Sequence, residues 1–193
     1  MKEFNLEKIE NLIRQLLIEL NDNPDRPGLI ETPKRVAKFY KEIYEGQLYT
    51  NEEIANMFDK CFDMDTVKTD SLVVEKDITV FSNCEHHLAL MYDMKVAIGY
   101  IPKGKVIGLS KLNRIAQMCG KRLQLQEKLA EDIADVVSRI VKTDDVAVFI
   151  NGKHACVTTR GIKDTNASTS SSCLKGRFKT NTALRAEFLT MIK

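Results

Sequence analysis

The spacing of apolar residues in this chain changes near residue 71, and that change limits what it can fold into more than any other feature. Before it the period is helical. Leu6, Ile9, Leu12, Ile13, Leu16, Leu17 and Leu20 recur on one helix face, with Asn5 as an N-cap. Asn23-Pro24-Asp25-Arg26-Pro27-Gly28 breaks the chain. Thr32-Pro33 then opens a second helix in cap-then-proline order, closed by Gly46, and a short third helix is expected near 51–58. After the change come β-rich runs: Leu72–Val74, Ile78–Phe81 and Met94–Ile101, with Pro102–Lys105 turning the chain into Val106-Ile107. Helical spacing returns over 110–119 and 124–141, strands over 146–150 and around 155–160, and a last helix over 181–192. The polar run 168–172 is too short for a linker, and there is no internal repeat. Helices, strands, helices, strands is the order of an α+β fold with a largely antiparallel sheet. The expected division is a helical segment, 1–60, and an α+β domain, 61–193.

The 193 residues suffice for one core, burying roughly 70% of the surface of the unfolded chain. A net charge of +2 is too small to argue for a nucleic-acid partner, so basic residues must act as local clusters. No apolar run is long enough to span a membrane, and the N-terminus has no uninterrupted apolar stretch of a secretion signal. Five cysteines, an odd number and widely spread, fit thiols used as ligands or core residues in a reducing, cytoplasmic setting.

The three histidines all lie beside a cysteine, in Cys84-Glu85-His86-His87 and His154-Ala155-Cys156. Cys84 and His87, three apart, can reach one ion from a loop or a helical turn. Thiolate with imidazole suits zinc. The plain alternative is core cysteines with incidental histidines. Cys84, His87 and Cys156 make three ligands, the number that leaves a catalytic zinc one position for water. A closed structural site borrowing Cys61, Cys119 or Cys173 stays open, with no spacing to recommend it. His86 and His154 then stand beside the metal without binding it, where general acids and bases belong.

A second cluster is Gly108-Leu109-Ser110-Lys111-Leu112-Asn113-Arg114. Ser110 is expected to cap a helix whose free N–H groups attract anions, with Lys111 and Arg114 in its first turn. Arg35 and Lys38 share a helix face, and Arg160 follows Cys156 by four residues. Together they suggest a polyphosphate site; singly, each reads as a solvated charge. Gln126-Glu127 opens the long helix. A carboxylate there can accept from a guanine's N1–H and 2-amino group, which adenine does not offer.

These motifs together resemble the GTP cyclohydrolase I family. The resemblance runs from Glu31-Thr32-Pro33-Lys34-Arg35-Val36-Ala37-Lys38 to the terminal helix, through CEHH at 84–87, YIP at 100–102, GLSK at 108–111, LQLQEK at 123–128, and HAC followed by RGI at 154–162. It implies a tunnelling fold, an antiparallel sheet with helices on one side, assembled as two stacked pentamers with active sites between subunits. It implies zinc on Cys84, His87 and Cys156, with proton transfer by His86 and His154. Gln126 and Glu127 would bind guanine, Ser110, Lys111, Arg114 and Arg160 the ribose and triphosphate, and Arg35 and Lys38 would add to the phosphate pocket. The implied reaction is attack of zinc-activated water on C8 of GTP, loss of formate, and rearrangement to 7,8-dihydroneopterin triphosphate. The chain departs from the family after CEHH, where Leu88–Asp93 replaces the usual Pro-Phe and glycine, and at Lys128, where arginine is common. The nearest rivals are other tunnelling-fold pterin or deazapurine enzymes, whose cysteine and histidine patterns differ, and a non-catalytic zinc and nucleotide-binding protein.

Overall fold

Asn5 opens the first helix as expected, its side chain accepting from the Lys8 amide at 2.9 Å. In the computed structural model, which describes residues 2–63 and 71–193, this helix is α1, Leu6–Glu19. It packs on α2, Thr32–Ile43, yet no residue of α1 is fully buried, and Leu12, Leu16 and Leu20 are exposed. Pro33 lies in the first turn of α2, but Thr32 is already helical and Glu31 holds the cap position without a side-chain bond. Gly46 does not close α2. It lies in a 3-10 turn, Glu45–Leu48, where a Cβ would come within 2.3 Å of the Met118 carbonyl, so it is glycine for close approach. Helix α3, Asn51–Phe58, starts at a capping box in which Thr50 and Glu53 each bond the other's amide.

Two short strands, β1 (Cys61–Asp63) and β4 (Lys105–Ile107), pair by themselves. The main sheet has the order β5-β2-β3-β6-β7, built from β2 (Val73–Cys84), β3 (Leu90–Tyr100), β5 (Leu123–Gln124), β6 (Val146–His154) and β7 (Thr169–Leu174). All its pairs are antiparallel except β2 with β5. The two runs expected at 72–74 and 78–81 are one strand, interrupted by a register shift where Asp77 takes a left-handed conformation. Asp93 does the same in β3. One expectation fails further on: residues 155–158 form a short helix, α6 (Ala155–Thr158), in place of a strand. The polar run 168–172, too short for a linker, lies largely in β7.

One face of the sheet carries α4 (Leu109–Gly120) and α5 (Gln126–Val141). Leu112, Ile115 and Ala116 of α4 and Leu129, Ile133, Val136 and Val137 of α5 bury against Val80, Val96, Ile98, Val146, Val148 and Ile150, every second residue of the strands. On the other face Phe178, in α7 (Arg177–Thr180), and Phe188, in α8 (Thr182–Met191), pack edge to face over Ala97 and Ala147. The expected final helix is α8, and Asn181 caps it. No helix among the described residues is long and apolar enough to cross a membrane.

Arg122 fastens the α3 region to α5. Its guanidinium donates to Asp132 at 2.7 Å, to Asn51 Oδ1 at 2.8 Å, and to the Tyr49 and Gly46 carbonyls at 2.8 and 3.1 Å. Lys128 bonds the other Asp132 oxygen, so the replacement of the family's arginine keeps a cation there. The Arg122 and Asp132 side chains are 12% and 5% exposed. Asp132→Ala leaves a nearly buried guanidinium without its counter-ion, and the expected loss is about 3–5 kcal/mol of unfolding free energy. A loss below about 1 kcal/mol in denaturant titration would show the cluster to be solvated.

Candidate metal centre

The registers explain how ligands seventy residues apart come together. Ser82 pairs with Met91, and Met91 with His154, so the end of β2 and the end of β6 flank the same point of β3. Cys84 is the last residue of β2 and is buried. The chain then loops through Glu85–His87 and returns at Ala89, whose carbonyl accepts from the Cys84 amide at 2.8 Å. Leu88 closes this loop in a left-handed conformation, φ 53°, so the unusual residues after His87 still make a tight return. Cys156 sits in α6, which Thr158 anchors to β3 by accepting from the Tyr92 hydroxyl at 3.0 Å.

The donor atoms of Cys84, His87 and Cys156 lie within 4.8 Å of one another. A tetrahedral zinc, with sulfur at about 2.3 Å and nitrogen at about 2.0 Å, sets its ligands roughly 3.5–3.8 Å apart, so a small contraction fits them to the ion. The donor chemistry also fits. Burial, then the neighbouring Cys84 thiol, pushes the Cys156 thiol up, a cost that a bound cation removes. Among the described residues this is the one such cluster. The other cysteines stand elsewhere: Cys61 faces the Ile140 carbonyl at 3.8 Å, Cys173 packs against the core, and burial pushes Cys119 up to about 12. None supplies a fourth ligand.

His154 borders the cluster. Burial holds it below the ordinary histidine value, opposed by the charge of Glu127, so a neutral imidazole prevails near pH 7. Its Nε2 lies 3.0 Å from Gln126 Oε1. Glu127 beside it is exposed, but Gln126 is buried and its amide nitrogen contacts Ile150 O, Thr169 O and Ser171 Oγ. Arg160 reaches the cluster directly, Nη1 standing 3.2 Å from His87 Nε2. The His86 ring is exposed, edge-on to His87 with centroids 6.4 Å apart.

The other expected residues are not near. Ser110 does not cap α4; Gly108 holds the cap position, and Ser110, exposed, is the second helical residue. Lys111 and Arg114 lie in the same end of the helix, where Asn113 donates to Glu75 Oε1 at 3.0 Å. Glu75 is nine residues before Cys84 on β2, roughly 25–30 Å along the strand. Arg35 and Lys38 are exposed on α2, with no bond to the cluster among the described residues. Within this chain, therefore, Cys84, His87, Cys156, His154, Gln126, Glu127 and Arg160 gather, while the Ser110 group stands at the far end of the sheet. Sequence reasoning missed Thr169 and Ser171, which hold Gln126, because a Ser/Thr-rich strand lacks the apolar alternation that marks strands.

The profile of the GTP cyclohydrolase I family matches residues 9–193. A protein named GTP cyclohydrolase 1 from Clostridium botulinum (strain Loch Maree / Type A3) is 54% identical over 180 residues, 92% of this chain and 92% of its own. One of the same name from Clostridium beijerinckii is 49% identical over 195 residues, covering 100% and 99%. The solved structure of the archaeosine synthase QueF-Like in the apo form overlaps 55% of this chain and 94% of its own, at 22% identity and a TM-score of 0.45.

Proposed function

The chain belongs to the GTP cyclohydrolase I family, and we propose that it hydrolyses GTP at C8, releases formate and rearranges the remainder to 7,8-dihydroneopterin triphosphate. The observation that carries this reading is the convergence of Cys84, His87 and Cys156 beside a half-buried His154. Zinc is the ion of choice for two thiolates and an imidazole, and when bound it supplies an activated water near neutral pH. The side chains do the rest. His154 and His86 move protons at the purine ring and then at the opening ribose. Arg160, Lys111, Arg114, Arg35 and Lys38 neutralise phosphate charge, and Ser110 adds an uncharged contact to the ribose and triphosphate. Incubation of the zinc-loaded protein with GTP should yield formate and an oxidisable, fluorescent pterin in equal amounts. GTP left intact would refute the reading.

Selectivity for guanine falls to Glu127, whose exposed carboxylate is free to accept from N1–H and the 2-amino group. Glu127→Ala should raise the KM for GTP roughly 10- to 100-fold, the worth of hydrogen bonds to a charged group, and leave zinc content alone. Unchanged GTP kinetics would remove Glu127 from recognition.

The working unit under this reading is a ring, a decamer of two pentamers, in the cytoplasm. The distance of Ser110 from Cys84 supports a shared site, since one protomer's phosphate residues are too remote from its own cluster and serve a neighbour's. Five free thiols suit a reducing compartment. Sedimentation should give a large stable assembly. An active 21.9 kDa species at micromolar concentration would contradict it.

A further inference from the structure

The Gln126 side chain is 1% exposed, and its bonds decide which way its amide points. Its nitrogen stands 3.2 Å from the Ile150 carbonyl, 2.9 Å from the Thr169 carbonyl and 3.1 Å from Ser171 Oγ. Two of these partners are carbonyls, which only accept. The group facing them must therefore be the NH2, and both its hydrogens are committed inside the fold. The carbonyl oxygen Oε1 is left facing His154 Nε2 at 3.0 Å. An amide oxygen only accepts, so that ring nitrogen must carry hydrogen. Room for this contact comes from Gly152, which lies between Ile150 and His154 on the same face of β6. A Cβ there would stand 3.4 Å from Oε1 and 2.7 Å from Met94 Cγ.

We propose that Gln126 is a positioning residue for His154: it holds the imidazole with a hydrogen on Nε2, which leaves Nδ1 as the nitrogen that exchanges a proton with substrate. The proposal rests on the function read above and changes one role within it. Gln126, expected to share guanine with Glu127, has no amide hydrogen left to offer a base. It acts through His154 instead. Strand β7 thereby enters the mechanism: Thr169 and Ser171 orient the amide, the amide orients the imidazole, and the imidazole exchanges its proton at Nδ1. Such a relay fixes both the ring's rotation and which nitrogen is basic, two quantities that an isolated histidine leaves to chance.

With only three histidines in the chain, 15N-histidine labelling allows a direct test. In solid-state spectra of the zinc-loaded protein, His154, assigned by the signal missing from His154→Asn, should show protonated Nε2 and unprotonated Nδ1. The reverse pattern in the wild-type protein overturns the proposal, whatever any variant does. Gln126→Met, near in length but without an acceptor, should mix the two tautomers. It should also lower kcat about 10- to 100-fold, with KM for GTP shifted less than about threefold and zinc stoichiometry unchanged. A raised KM with intact kcat in Gln126→Met would make Gln126 a guanine contact. Loss only in proportion to unfolded protein would make it structural. Either result defeats the proposal. A wild-type protein that leaves GTP intact would defeat the functional reading while the tautomer measurement still stands.

Discussion

Cys156→Ser is expected to yield a folded protein that retains no zinc and releases no formate, a loss of about 10³-fold or more. The size follows from what the ion contributes: several kcal/mol of barrier lowering, at 1.36 kcal/mol per tenfold in rate. Serine is nearly isosteric, but its hydroxyl does not ionise near neutrality and is a poor ligand for an ion that prefers thiolate here. The fold should survive, because α6 is fixed by the Tyr92–Thr158 bond and not by the thiol. Metal analysis and thermal unfolding check both halves, with metal-stripped wild type as the reference. Full zinc retention in the variant would mean that the ligand set is wrong.

His86→Ala should behave in the opposite manner, keeping its zinc and its fold while losing turnover by about 10²–10⁴, the range for a general acid or base. Its ring is exposed in this chain, with the Glu85 carboxylate 4.0 Å away. Little stability depends on it, and a change within about 0.5 kcal/mol is expected. Zinc stoichiometry, unfolding and formate release on one preparation distinguish the outcomes. Full activity with intact zinc would remove His86 from the mechanism. Loss of zinc would mean that His86 and His87 have exchanged roles.

Much of this was legible in the chain because it depends on local chemistry. Asn5 announces the first helix by the bond its side chain makes, while the Thr50–Glu53 box and the Asn181 cap, also local, went unread. The pairing of every histidine with a cysteine pointed to Cys84, His87 and Cys156, which the fold brings together as a group that could hold a metal ion. What stayed hidden depends on distant partners. The left-handed Asp77 breaks the alternation of β2, so one strand reads as two. The Ser/Thr-rich β7 has no apolar face to advertise it, yet it holds Gln126. Gly46 reads as a helix stop, while its reason is the Met118 carbonyl of another helix. Ser110 looks like a cap, but Gly108 takes that position and the chain is already helical at Leu109. The separation of Ser110 from Cys84 is a property of the sheet's length, which no motif encodes.

The central claim is that the Cys84, His87 and Cys156 cluster makes GTP hydrolysis depend on one zinc ion per protomer. Titrating zinc into metal-stripped protein, while following formate release from GTP against bound metal, tests it most directly. The account predicts a rate that rises in proportion to occupancy and levels off at one zinc per 21.9 kDa chain. Formate release that persists in the stripped protein, or that saturates at a different stoichiometry, would contradict it.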